Sequence, residues 1–205
     1  MLERPQLADV FLRKIIAELS ARGLLLEQRT VVDATLIAAP PSTKNKERKR
    51  DPEMSSTKKG NQWHFGIKAH IGADADSGLV HSLILTKAKV LDDLLHGQEN
   101  AVHGDKAYTS NKHRLLASDP KNGPIWCMLF KNPSGQELPE WKQDINRRLA
   151  SLRAIVEFPF RIIKRQFCFI KVRYRGPFKN GQALTTKFAL ANLYTVRRAL
   201  LSSAG

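Results

Sequence analysis

Three carboxylates, Asp33, Asp105 and Glu157, stand in settings where a carboxylate needs a reason. Asp33 lies inside the apolar, β-branched run Thr30-Val31-Val32-Asp33-Ala34-Thr35-Leu36-Ile37, where at least one face of a strand is buried. A charge there is costly unless a partner compensates it. The wet face of an edge strand, or a Lys partner, would also account for it. Asp105 follows a short apolar strand in Gly104-Asp105-Lys106-Ala107-Tyr108, at a strand's carboxyl end, where α/β sheets gather ligands. Alone it reads equally as a turn residue capping the next helix. Glu157 follows Ile155-Val156 in a helix that is otherwise basic. Arg153 is four residues before it, Arg161 four after and Lys164 seven after, so in a helix one stripe carries a single carboxylate among cations. That stripe is an ion-pair ladder or a metal ligand with phosphate-holding neighbours. Three separated carboxylates supply the hard oxygen ligands that suit Mg²⁺ or Mn²⁺. Two such ions about 3.5–4 Å apart are what two-metal phosphoryl transfer uses.

The elements that must position these residues follow from periodicity. Leu7–Leu19 has helical spacing and closes on Gly23. Gln28–Ile37 is a strand, and Trp63–Gly72 with Leu79–Thr86 form a hairpin around Asp74-Ala75-Asp76-Ser77-Gly78. Residues 40–60 read as a mobile basic loop, with Lys44, Lys46, Arg48, Lys49 and Arg50 clustered in it. Val90–His96 is a short helix, Asn100–Gly104 a short strand, Ser110–Ala117 a helix and Ile125–Phe130 a strand. Leu138–Phe169 is mostly helical with a disturbance at Pro159, and Thr185–Leu201 is a last amphipathic helix. The order describes an α/β fold, a central mixed sheet flanked by helices.

Composition bounds the partner. Of 205 residues, 34 are Lys or Arg and 19 are Asp or Glu, a formal net charge of +15. Such an excess favours a polyanion, because phosphates release counterions when basic side chains neutralise them. An anionic lipid surface or a merely basic protein gives the same balance. Lys171, Arg173 and Arg175 alternate, so in an extended segment they point to one side, with Tyr174 between them. Trp63 and His64 could pack or touch a base, core being the first reading for Trp63 and a neighbour of the site for His64; the other histidines read as structural. Cys127 and Cys168, far apart in apolar runs, read as buried small hydrophobes and not as a disulfide or zinc site. No apolar stretch is long enough to span a bilayer, and a signal-peptide pattern is absent, so a cytoplasmic protein is expected.

Several segments together carry a family resemblance. Val32-Asp33-Ala34-Thr35 resembles the first-Asp strand of DDE transposases from bacterial insertion sequences, and Lys59–Lys68 resembles the hairpin strand that follows it. Gly104-Asp105-Lys106-Ala107-Tyr108 is similar to the family's second-Asp segment, with Ala107 where Gly is usual. Arg153, Glu157 and Lys164 match the third signature, with Ala150 in place of its usual Tyr, and Lys171-Val172-Arg173-Tyr174-Arg175-Gly176 extends the match. The resemblance runs from about Thr30 to about Arg198.

It implies a ribonuclease H-like domain over 29–205, with Asp33, Asp105 and Glu157 as catalytic ligands of two Mg²⁺ or Mn²⁺ ions. It implies double-stranded DNA as partner, both transposon ends and target, contacted by Lys44, Lys46, Arg48, Lys49, Arg50, Arg153, Arg161, Lys164, Lys171, Arg173 and Arg175. It further implies hydrolysis at the ends followed by strand transfer, by a homodimer associated with the bacterial nucleoid. Residues 1–28 would be the remnant of an N-terminal helical region, and the Thr86–Gly104 connection is short for the family. The alternative expectation is therefore a truncated, inactive fragment that only binds DNA.

Overall fold

The structure, a computed structural model, describes residues 7–44, 46, 48–86, 90–108, 123–133 and 136–202. The helix expected over 110–117 lies outside the described residues.

A six-stranded mixed sheet forms the centre. Its strands are β1 (Arg29–Ala38), β2 (Ser55–Lys59), β3 (Gln62–Asp74), β4 (Val80–Thr86), β5 (Ala101–Gly104) and β6 (Ile125–Met128). The order is β2-β3-β1-β5-β6, and β4 pairs with the second half of β3. β1 pairs antiparallel with β3 and parallel with β5, and β5 is parallel to β6. The α-helices among the described residues are α1 (Leu7–Ala21), α2 (Glu140–Arg153), α3 (Glu157–Arg161) and α4 (Pro177–Ser202).

The central position of β1 explains its composition. Val31 packs into a core with Ile71, Val156, Phe160 and Phe188, whereas Val32 packs into a second one with Leu94, Val102 and Tyr108. A strand covered on both faces carries a near-continuous apolar run and loses clean alternation. α1 closes the molecule differently, packing Leu12, Ile15 and Leu19 with Ala189 of α4 and Leu79.

Two boundaries depart from expectation. Ser55–Lys59, read as loop, is an edge strand against Gln62–Gly66. Its polar Ser-Ser-Thr-Lys-Lys sequence lacks an apolar face because an edge strand needs none. The last helix begins eight residues earlier than Thr185, at Pro177, where proline's fixed φ suits the first helical position. Between α2 and α3 a 3₁₀ turn spans Ala154–Val156, and a π turn spans Ile162–Gln166. The 3₁₀ turn falls where Pro159, lacking an N–H, would have bonded to Ile155, so the disturbance expected at Pro159 appears just upstream of it.

Two single-residue expectations are corrected. Trp63 is 69% exposed and not core, because it lies near the tip of the β2–β3 hairpin, beyond the helices that cover the sheet. Cys168 is exposed, with φ +49°, since the chain turns out of the π helix there; Cys127 is partly buried.

Candidate metal and DNA site

Parallel pairing sets the first two carboxylates side by side. Val32 of β1 is opposite Gly104, the last residue of β5, and the next residues in sequence are Asp33, still on β1, and Asp105, just beyond β5. Neighbouring strands lie about 4.8 Å apart, and the two residues line one cleft with Lys58, Lys68, His70 and Tyr108. Gly104 allows this closeness: a Cβ there would stand 2.9 Å from Val32 Cγ2 and 2.8 Å from Met128 Sδ. The close approach here is made by side chains of the two flanking strands.

Glu157 arrives from the other side. The run α2–3₁₀–α3–π lies along β1, tied at two points: Arg153 Nη2 donates to Asp33 Oδ2 at 3.1 Å, and Lys164 Nζ donates to Thr35 Oγ1 at 2.6 Å. Glu157, exposed, stands between the ties. It lines a second cleft with Asp33, Thr35, Arg161, Lys164 and Arg165. Asp33 thus borders both clefts, one shared with Asp105 and one with Glu157.

Electrostatics single out Asp33. Its side chain is 17% exposed. Burial pushes its carboxyl above the usual carboxylate range. The Ala34 N–H, which donates to Oδ1 at 2.8 Å, and the Arg153 guanidinium oppose that rise, while Glu157 adds to it. Arg153 therefore compensates only part of the cost of this partly buried charge. Among the described residues, no three of His, Cys, Asp and Glu are grouped closely enough to hold an ion as they stand. The donor chemistry nonetheless fits a hard divalent ion, since each cleft offers Asp33 with one further carboxylate and no sulfur ligand.

The cleft beside Asp105 is lined also by Tyr108 and by His70, which sequence reasoning had treated as structural. His70 Nδ1 and the Tyr108 hydroxyl are 2.7 Å apart. Burial, with Lys68 assisting, holds His70 down to about 4, so it is neutral at pH 7. Burial, then Asp33, pushes Tyr108 well up. Thr35, Lys58 and Lys68 were also missed. Lys68, in an apolar strand register opposite Leu36, carried the one usable signal.

The basic residues divide by place. Lys44, Lys46, Arg48, Lys49 and Arg50 are all exposed, with Arg50 donating to the Pro41 carbonyl and lying over Phe65. Lys171 and Arg173 are exposed on either side of buried Val172, so the expected alternation holds that far; at Tyr174 the chain bends. Residues flanking the first group, Pro40, Ser42 and Asp51, face Arg173, Tyr174 and Arg175 across a cleft that none of the five clustered cations lines. Arg161 is exposed, and Lys164 lies at the second cleft. Arg153 differs, being spent on Asp33.

No described helix is long and apolar enough to cross a membrane. No solved structure matches the chain. A family model described as the transposase DDE domain matches residues 25–193, from just before β1 to late in α4, and so spans all three carboxylates in their order. With its mixed sheet of ribonuclease H-like α/β type and this match over most of its length, the chain belongs to the transposase DDE domain family.

Proposed function

We propose that the chain cleaves DNA strands at the ends of an insertion sequence and joins the freed 3′ ends to target DNA, in a metal-dependent reaction carried by Asp33, Asp105 and Glu157. The observation that carries this reading is the place of Asp33, a partly buried carboxylate shared by two clefts with one further carboxylate in each. Mg²⁺ or Mn²⁺, held by Asp33 with Asp105 and by Asp33 with Glu157, would supply Lewis-acid stabilisation of the attacking and leaving oxygens. The protein's own contribution is positional. Arg161, Lys164 and Arg165 line the Glu157 cleft and hold phosphate against the carboxylates; Lys58 and Lys68 do the same beside Asp105. The exposed cations of 44–50 and of 171–175 fix the duplex by its backbone, which carries register but no sequence information. A homodimer on paired ends, in the bacterial cytoplasm at the nucleoid, completes the reading. Residues 1–28 belong, on this reading, to a helical region preceding the catalytic domain.

A second reading, a DNA-binding chain without chemistry, is favoured by the Arg153 contact, which occupies Asp33 where an ion would compete. One experiment separates the two. The purified chain is melted with and without Mn²⁺ and incubated with DNA bearing the flanking inverted repeats. The catalytic reading expects a rise in Tm with Mn²⁺ by mass action and nicking at the repeat ends, both lost in Asp33→Asn, Asp105→Asn and Glu157→Gln. DNA binding with neither response establishes the binding-only reading.

A further inference from the structure

A second surface, remote from both carboxylate clefts, is built to present an aromatic ring. The segment 170–172 runs alongside the end of β1, where Ala38 N donates to the Ile170 carbonyl and Val172 N donates to the Ala38 carbonyl at 2.8 Å. Ala38 is five residues past Asp33, about 16 Å along a strand. The turn that follows, Arg173–Gly176, is held by Asn180, which is fully buried. Asn180 Oδ1 accepts from Arg173 N and Tyr174 N, and its Nδ2 donates to the carbonyls of Tyr174 and Gly176. That uses all four hydrogen-bonding positions of the amide on one exposed turn. From the opposite side, Asp51 Oδ2 accepts from Gly176 N at 2.8 Å.

So firmly fixed a turn leaves its side chains outside. Tyr174 is 48% exposed and Phe178, the second residue of α4, is 58% exposed. Between them opens a groove of about 320 Å³, lined also by Lys179, Gln182 and Lys187. Gln182 donates through Nε2 to Asp9, while its buried Oε1 has no partner among the described residues. Lys187 lines the groove, and Arg173, the residue before Tyr174, repels it, adding to the lowering that burial imposes on Lys187. An anion between them would relieve that repulsion.

We propose that this groove takes one unpaired nucleobase of the DNA, stacked on Tyr174 and Phe178, with its phosphate held by Arg173 and Lys187. The inference rests on the reading of the chain as a DNA-processing enzyme. Three features select this occupant. The rings offer a flat apolar surface, which every nucleobase matches regardless of sequence. The cations fit a phosphate and not an apolar peptide. The groove's size suits a single heterocycle, near the lower end of small-ligand sites, and a base within duplex has its faces covered, so the bound base must be out of the stack.

The test uses the full chain and three fluorescent duplexes, identical except at one position: fully paired, with a one-nucleotide bulge, and with the same bulge lacking its base. Anisotropy titrations should show the bulged duplex bound about tenfold more tightly than the abasic one, the order expected for one stacked base. Tyr174→Ala and Phe178→Ala should abolish that ratio, and Tyr174→Trp should keep it. Thermal melts confirm that each variant is folded. Equal binding of bulged and abasic DNA by the wild type, or a ratio that survives Tyr174→Ala, overturns the groove assignment while leaving DNA binding intact. Absence of salt-sensitive binding to any of the three overturns the DNA reading and the groove with it.

Discussion

Arg153 and Asp33, 120 residues apart in sequence, meet at 3.1 Å between the end of α2 and the middle of β1. Both side chains are mostly out of solvent, at 21% and 17% exposure. The contact pins the Glu157-bearing run against the sheet, and it puts a cation on the one carboxylate that borders both clefts. Even so, Asp33 remains harder to ionise than a carboxyl in water, because burial outweighs the guanidinium and the Ala34 N–H together.

That imbalance predicts how stability responds to pH. A carboxyl raised in the folded state binds its proton more tightly folded than unfolded, so the folded state gains from protonation at low pH. The gain is lost as pH rises from the ordinary carboxylate pKa, about 3.9, through the raised folded value, and is constant beyond it. Asp33→Asn removes this titration. Melts of both proteins from pH 3.5 to 8 should show the wild type losing Tm relative to Asp33→Asn across that window, then running parallel to it. A wild-type advantage that grows with pH would mean that Arg153 outweighs burial.

Much of this arrangement was legible in the sequence, for identifiable reasons. Asp33 drew notice because a charge in a β-branched run conflicts with its surroundings, and β1 is buried on both faces. Arg153, Glu157 and Lys164 drew notice because helical spacing puts them on one face, and both cations do reach β1. Contacts made across the fold left no such trace. Nothing local distinguishes Thr35 as the acceptor for Lys164, or His70 as the partner of Tyr108. Edge strand β2 was hidden because its residues are polar, and the start of α4 because Asn180 and Gly181 are poor helix formers. Asn180 earns its helical place through backbone contacts that no periodicity encodes.

The cations of 44–50 and of 171–175 are exposed, and on the DNA-processing reading each set is expected to contact phosphate. Each phosphate neutralised contributes about −0.9 to the slope of log affinity against log salt. Replacing Lys44, Lys46, Arg48, Lys49 and Arg50 by Gln should flatten that slope by roughly 2–4, if most of them touch phosphate. Replacing Lys171, Arg173 and Arg175 should flatten it by about 1–3. Titrations of a fully paired duplex at several salt concentrations measure both. An unchanged slope for either set removes that segment from the interface.

Gly104 offers the most direct test that packing positions Asp105. A Cβ at this residue would meet Met128 Sδ at 2.8 Å and Val32 Cγ2 at 2.9 Å, both side-chain atoms. Met128 is flexible and partly buried, so Gly104→Ala should fold, at a cost of about 1–3 kcal/mol for overpacking. Relief must come partly from movement of β5, and Asp105 is the next residue along. A shift of about 1 Å at a catalytic group can cost about a hundredfold in rate, so nicking should fall far more than stability, and the Mn²⁺-induced rise in Tm should shrink. A second change that vacates the space separates displacement from damage: Gly104→Ala with Met128→Ala should recover much of the metal response and nicking, although the core loses a side chain. Recovery without regained stability places the defect at Asp105. If Gly104→Ala alone keeps full metal response and nicking, the contact with Met128 and Val32 does not set the position of Asp105.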